Sequence, residues 1–501
     1  MTKQIGIIIS CILLAFAGHF IAFKLLHPPQ QLEFVILLTI ALFYPVIRYP
    51  MFGLYCVFLL LPFVPFIRRS YYLLYSRPII DPLIAIGYII IALILIALFF
   101  ELRERRGIEN RMKMIRNLIT VYFVYLLIRT FMLNTLSVQD AILRFGFYGP
   151  PVVLFFIGMY YAPKINHLKF IWIITICIGT LSAIYGFKQL YFGYSQAEKI
   201  WFASISFTTL FIKGIARPFS FFQSPASFAD YMQISLIAII VLYAWGKSAG
   251  KHLLLLLIPV LFYGSLITSV RSNWVGIMLS VLLWMTIIRV KGPWKRFGIL
   301  AAFLTIYGLY TFFDASSQTG VESTRLLNAT ATGKFSDSYI DLLVTERAGA
   351  ISNPFEEHSF ISRVALWKYI LSSSLNPEIA IFGSGLGTMN ADSLYFTYLG
   401  EFGYPGLIFI IYVVIYFIAT GFKLIDKSKE RNVIAIAKGV TIMNIAFAII
   451  NITGTHIHSF PGDSYFWFWN GVLSGLLPLC ENSTQEPAGG DADINNSGLP
   501  A

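Results

Sequence analysis

Apolar runs of about 17 to 23 residues, the length that carries an α-helix across roughly 30 Å of hydrocarbon, recur along this chain and constrain its fold more than any motif. They lie near residues 5–23, 32–47, 50–67, 82–100, 116–134, 143–161, 168–190, 228–245, 252–269, 272–290, 297–314, 404–422, 434–452 and 463–480. A chain with 57% hydrophobic and only 12% charged residues carries more apolar surface than a soluble core of this length can bury. The expected fold is therefore all-α, a polytopic transmembrane helical bundle of about 12–14 spans. Pro45, Pro50, Pro62 and Pro65 can kink or merge helices among the first three runs. No short apolar core with a small-residue cleavage site stands at the start, so residues 5–23 are expected to stay as a first helix.

Orientation follows from where short basic loops fall, since these stay cytoplasmic. The densest are Arg103–Arg116, Lys247 with Lys251, Arg289–Arg296 and Lys423–Arg431. The span count between consecutive loops is even each time, which puts all four on one side and both termini in the cytoplasm. Arg68, Arg69 and Arg77 then fall on the outer side, against the rule. The net charge of +12 is thus mainly a topology signal with attraction to anionic lipid, and nucleic acid is not an expected partner. The expected setting is a membrane crossed many times.

The chain divides into an N-terminal bundle (1–314), a large extracytoplasmic loop (315–403), C-terminal spans (404–480) and an acidic, Gly/Pro/Asn-rich tail (481–501) expected to be disordered. Loops as long as 315–403 are usually functional or disordered. Its first part is polar and Ser/Thr-rich. From Phe360 on, Phe360, Val364, Trp367 and Leu371 recur at helical spacing and predict an amphipathic helix, which Asn376 and Pro377 end before the FGSGLG turn. A second outer segment, 191–227, contains ARPFSFFQSP.

Three arginines are placed outside: Arg217, Arg271 in TSVRSNW, and Arg363. An arginine against a membrane needs an anionic partner, and its planar fork matches a phosphate. Snorkelling at the interface is the plain alternative for any one of them. Together, with Thr268, Ser269, Ser272 and Asn273 as further donors, they suggest a diphosphate clamp. Asp392, just past the glycine turn, is the carboxylate best placed to take a proton from an attacking hydroxyl, or it caps the helix that follows. Tyr395 shares its helical face, whereas Glu401 points away and is expected to hold the re-entry geometry or pair with an arginine. Gly383, Gly385 and Gly387 lack the strand and lysine of a nucleotide-phosphate loop and read as a turn or close backbone approach. His358 is a secondary candidate base. His456, His458 and Asp463 share an outer loop whose plainer reading is solvated, with metal binding the lesser one. Cys11, Cys56, Cys177 and Cys480 show neither disulfide nor metal spacing. No metal and no cofactor is expected.

The run from Arg363 before Trp367, through Pro377 and FGSGLG, to DSLYFTYLGEFGYPGLIF resembles the O-antigen ligase and O-antigen polymerase superfamily. That family's signature passes from a large outer loop into the next span as G-x-G, a His-Asn or Asp-Asn pair, Tyr-Leu, Glu-x-Gly and Gly-Leu. Here it reads Gly383–Gly387, Asp392-Ser393, Tyr395, Glu401, Gly403 and Gly406-Leu407. ITSVRSNWVG resembles the family's Thr-x-Ser-Arg-x-x-Trp turn with Val270 inserted, and RPFSFFQSPASFADYM its Arg-x-x-Gly-x-x-x-x-Pro-Asn segment, with Ser220 and Ala226 departing.

The resemblance implies a GT-C-like, metal-independent, inverting glycosyltransferase of a bacterial inner membrane, with its active site on the outer face, that uses undecaprenyl-diphosphate-linked oligosaccharides, with membrane lipid around it and a chain-length regulator as a candidate partner. In that role Arg217, Arg271 and Arg363 hold the diphosphate, Asp392 with Arg271 and Arg363 is catalytic, and His358, Tyr395 and Glu401 support. Ligases of the family carry a His where this chain has Asp392, which favours polymerisation of repeat units over transfer to lipid A core. A ligase, a protein O-oligosaccharyltransferase and a peptidoglycan-type glycosyltransferase remain alternatives on the same donor. A flippase or exporter is the alternative of another class, but it should carry its charges in a central cavity.

Overall fold

The computed structural model describes residues 30–75, 81–104, 113–131, 138–204, 210–212, 215–246, 249–287, 358–389, 391–458 and 460–483. Expected spans 5–23 and 297–314, the tail from 484, the first part of the large loop up to residue 357, and Arg77 lie outside these residues. The helices are α1 (Gln31–Arg48), α2 (Pro50–Leu60), α3 (Val64–Leu74), α4 (Ala85–Glu104), α5 (Lys113–Phe131), α6 (Val138–Tyr161), α7 (Ile165–Phe192) and α8 (Gln196–Ser204). Then follow a two-residue antiparallel pair, β1 (Phe211–Ile212) with β2 (Ile215–Ala216), and α9 (Pro225–Trp245), α10 (Leu257–Leu266) and α11 (Arg271–Ile287). The described chain resumes with α12 (His358–Ser373), α13 (Pro377–Phe382), α14 (Leu394–Lys427), α15 (Arg431–Ile450) and α16 (Gly462–Ser483).

Among the described residues, seven helical stretches are long and apolar enough to cross a membrane. One pair of expected spans, 143–161 and 168–190, forms a continuous helical path, and the single run at 50–67 is divided between two helices. The run at 50–67 continues through a 3-10 turn at Pro62 into α3, and α6 passes through a 3-10 turn at Pro163 into α7. A proline removes one intrahelical donor and redirects the chain without ending the helical path. The outside of the bundle is apolar: Leu32, Ile36, Ile40 and Phe43 on α1 and Ile408, Ile411 and Ile415 on α14 are exposed at helical spacing. Polar residues lie inside, as Asp230, Gln233, Asn273, Asn444 and Asn470 show. This inversion of the soluble pattern suits a bilayer, and the chain is a polytopic membrane protein.

The centre of the bundle is α9, almost wholly buried and packed by α7, α10, α11 and α15. Its start is fixed locally: Ser224 accepts the Ser227 N–H at 3.2 Å and Pro225 occupies the first turn, where its missing donor costs nothing. The most extensive pairing joins α6 to α16. A side chain at Gly158 would strike the Phe468 carbonyl and one at Gly471 the Phe155 carbonyl, so small residues set this close approach. Asn444 and Asn470 exchange amide hydrogen bonds at 2.7 and 2.9 Å between α15 and α16, satisfying two buried polar groups at once.

Helix α14 runs through the expected boundary between loop and span at residues 403/404. Gly403 breaks the helical path there with φ 70, and Pro405 follows. The loop and the span are thus one bent element.

Candidate functional site

Three loops gather at one end of the bundle. They are the 217–224 segment before α9, the 267–270 turn between α10 and α11, and the 451–461 loop between α15 and α16; the 383–393 segment before α14 joins them. Hydrogen bonds tie them together. Arg217 Nε donates to the Thr268 carbonyl at 2.9 Å, and the Leu394 N–H donates to the carbonyls of Asn451 and Gly454 at 3.0 and 2.9 Å. The three non-glycine residues with positive φ among the described residues, Ser220, Ser269 and Asp392, all sit in these loops. Backbone held in that region persists only where its surroundings over-determine it, and it clusters at functional sites.

Arg217 and Arg271 flank the 267–270 turn. Arg217 is nearly buried, and Arg271 opens α11, half buried, beside Ser272. The other donors expected there are present: Thr268, Ser269 and Asn273 are buried.

Arg363 belongs to a second cluster. Its Nε lies 3.3 Å from Asp392 Oδ2, so the predicted base and one predicted clamp arginine form an ion pair, partly exposed on both sides. Trp367 fixes the arrangement by donating to the Ala391 carbonyl at 2.8 Å and stacking on Phe396 with centroids 4.9 Å apart. Asp392 is not a helix cap: the helix starts at Leu394 with Ser393 in the cap position. The packed stripe of α12 also differs from expectation. Trp367 and Ile370 face the turn and α14, with Leu366 beside them, while Leu371 is exposed. The sequence around Val364–Leu371 holds two overlapping apolar stripes, and the hydrogen bond of Trp367 selects one. Asn376 opens the next helix, accepting the Glu378 N–H at 3.0 Å ahead of Pro377. His358 is the first residue of α12. Tyr395 donates to the Ala448 carbonyl at 2.8 Å and so ties α14 to α15.

The glycine turn is gripped from two helices that the sequence did not mark. Arg129 on α5 donates to the Gly383 carbonyl and Arg144 on α6 to the Leu386 carbonyl, both at 2.9 Å. Gly387 has φ 67, and a side chain there would overlap the Arg144 guanidinium. Glu401, 2% exposed, accepts a hydrogen bond from the Tyr148 hydroxyl and faces the backbone N–H groups of Gly387 and Met389. These contacts join α6 and the glycine turn to α14. The arginine neighbour of Glu401 is Arg144.

The histidines depart from the solvated-loop expectation. His456 is 5% exposed, with Nδ1 2.7 Å from Asp230 Oδ1 and Nε2 3.1 Å from Ser272 Oγ. Asn273 donates to the same Asp230 oxygen at 2.7 Å. His458 packs edge-on against Tyr148 and Tyr398, and burial pushes its imidazole from the usual value near 6.5 down to about 3. Among the described residues, no group of three or more His, Cys, Asp or Glu side chains is arranged to hold a metal ion. Asp230 escaped the sequence reading because it lies within an apolar run, 226 positions from its histidine. A lone carboxylate in a predicted span was the available signal.

Arg68 and Arg69, which conflicted with the charge rule, are structural. Arg69 donates to the Phe222 and Ser220 carbonyls at 2.8 and 2.7 Å, and Arg68 pairs with Asp81 at 2.5 Å. Arg69 thereby braces the segment that carries Arg217. No protein-family model matches this chain, and no curated protein matches it.

Proposed function

We propose that this protein is an extracytoplasmic glycosyltransferase that polymerises undecaprenyl-diphosphate-linked oligosaccharide units into a surface polysaccharide. The observation that carries the reading is the convergence of Arg217 and Arg271 on one polar turn, at the same end of the bundle as the Arg363–Asp392 pair. Positive-inside counting puts this end on the outer face, with both termini in the cytoplasm. Its helical bundle with a large outer loop suits a GT-C-like enzyme.

Guanidinium groups fixed before the substrate arrives neutralise charge as it grows on a departing diphosphate, without reorganisation at the moment of reaction. The acceptor hydroxyl attacks the anomeric carbon, the bond from that carbon to the diphosphate oxygen breaks, and its electron pair leaves on the phosphate. Asp392 takes the hydroxyl proton. Its pairing with Arg363 gives the order of events: a diphosphate competes for the guanidinium and so releases the carboxylate to act as base. An exposed pair of this kind contributes about 1 kcal/mol or less, so exchange is inexpensive.

In cells lacking the native gene, Arg271→Ala and Arg363→Ala should abolish polymer while membrane insertion and expression stay normal. Lysine at either position should fail too, because a point charge cannot make the bidentate contact. Polymer at wild-type level in either alanine variant would sink the clamp.

A further inference from the structure

Ser272, His456 and Asp230 come from three separate segments and meet in a chain of hydrogen bonds. Asp230 is fully buried, His456 nearly so, and Ser272 is half buried, so the chain opens outward at its serine end. A carboxylate only accepts, so the imidazole Nδ1–H donates to Asp230 Oδ1 and Nε2 is left to accept the Ser272 hydroxyl proton. The order of roles is nucleophile, base and orienting carboxylate, and such a set is recognised by geometry and not by its order in the chain. Asn273 keeps the carboxylate in place from the side, while Asp230 Oδ2 has no hydrogen-bond partner among the described residues. Ser272 is also the second residue of α11, where the helix dipole favours negative charge.

We propose that Ser272 is an activated nucleophile that accepts an acyl group from a short-chain carboxylic ester. Thr268, Ser269, Arg271 and Asn273 make its surroundings polar, which suits a small acyl group more than a fatty chain. In the step, Ser272 Oγ bonds to the ester carbonyl carbon as its proton passes to His456 Nε2, and the dipole at the start of α11 favours the oxyanion. The ester C–O bond then breaks, and the alcohol leaves with the proton from His456. Water or a sugar hydroxyl discharges the acyl-serine by the reverse sequence and restores the free hydroxyl. Asp230 acts as a positioning residue that stabilises the transient imidazolium. This activity stands independently of glycosyl transfer.

The test is to incubate the full-length protein in lipid nanodiscs with a biotinylated fluorophosphonate and to map the adduct by mass spectrometry. Wild type should carry one adduct, on the Ser272 peptide. Ser272→Ala should lose it, and His456→Gln should slow it by about 100-fold or more, the usual worth of a general base. Ser272→Ala removes a single hydroxyl at a half-buried position, so it decides the matter even where His456→Gln fails to fold. A staple that only holds the loops together would give no adduct. An unlabelled wild type, or labelling undiminished in Ser272→Ala, would overturn the proposal.

Discussion

Whether an arginine at the end of this bundle serves the fold or a ligand depends on what its fork meets. Arg69, 1% exposed, spends both terminal nitrogens on the carbonyls of Ser220 and Phe222 and lies over the Phe219 ring at 4.6 Å. Arg69→Ala should therefore lower stability by about 1–3 kcal/mol, because the Phe222 carbonyl loses its arginine donor and the Ser220 carbonyl keeps only a long contact from Gln189 Nε2 at 3.5 Å. Thermal unfolding in detergent would register it, and Arg69→Lys should not recover the loss, since one ammonium cannot span two carbonyls. His458 gives a pH test. Its folded pKa, about 3, lies below the ordinary value near 6.5, so between those values the unfolded chain binds more protons. Stability is then fully present above about pH 7 and is lost as pH falls toward 3. His458→Phe should flatten the fall in melting temperature between pH 7 and pH 5; an unchanged slope would refute the assignment. Arg217, Arg271, Arg363 and Asp392 were legible as residues because charge in an apolar chain stands out. Arg129, Arg144 and Asp230 were not, since their partners are 226 to 254 positions away and two of them grip backbone carbonyls.

Among the elements, the bend of α14 organises the glycine turn. Gly403 lets the helix turn back, and the turn lies along its first segment: the Ser384 N–H donates to the Gly400 carbonyl at 2.7 Å and Gly385 to that of Glu401 at 3.3 Å. Tyr148 on α6 reaches across to the Glu401 carboxylate, so α6, the turn and α14 form one unit behind Asp392. Tyr148→Phe would leave that buried carboxylate short of a donor and should cost about 1–3 kcal/mol. Its readout is thermal unfolding together with faster hydrogen exchange confined to residues 383–401, and exchange at the wild-type rate would speak against the unit. Periodicity anticipated α12 and the existence of most helices. It did not resolve the face that α12 packs, because two apolar stripes overlap there and a tertiary hydrogen bond chooses between them. The kinking expected of the early prolines is seen at Pro62, whereas the joining of the runs 143–161 and 168–190 at Pro163 was not anticipated.

For the whole molecule, an apolar exterior around a polar interior agrees with the composition, and membrane residence was plain from run length alone. The gathering of four loops at one end was only partly legible. Loop charge counting placed the arginines on a common side, but the 451–461 loop that links the Arg217–Arg271 turn to Asp392 showed no charge pattern of its own. The proposed activity depends on that end acting as a single site facing a lipid diphosphate. The most direct test is to reconstitute the protein in lipid, supply native undecaprenyl-diphosphate oligosaccharides with EDTA and without nucleotide sugar, and resolve the products by size. A ladder with regular increments, lost in Arg271→Ala, is the expected result. Transfer of the intact lipid across the bilayer with no ladder would contradict the account and make the protein a flippase.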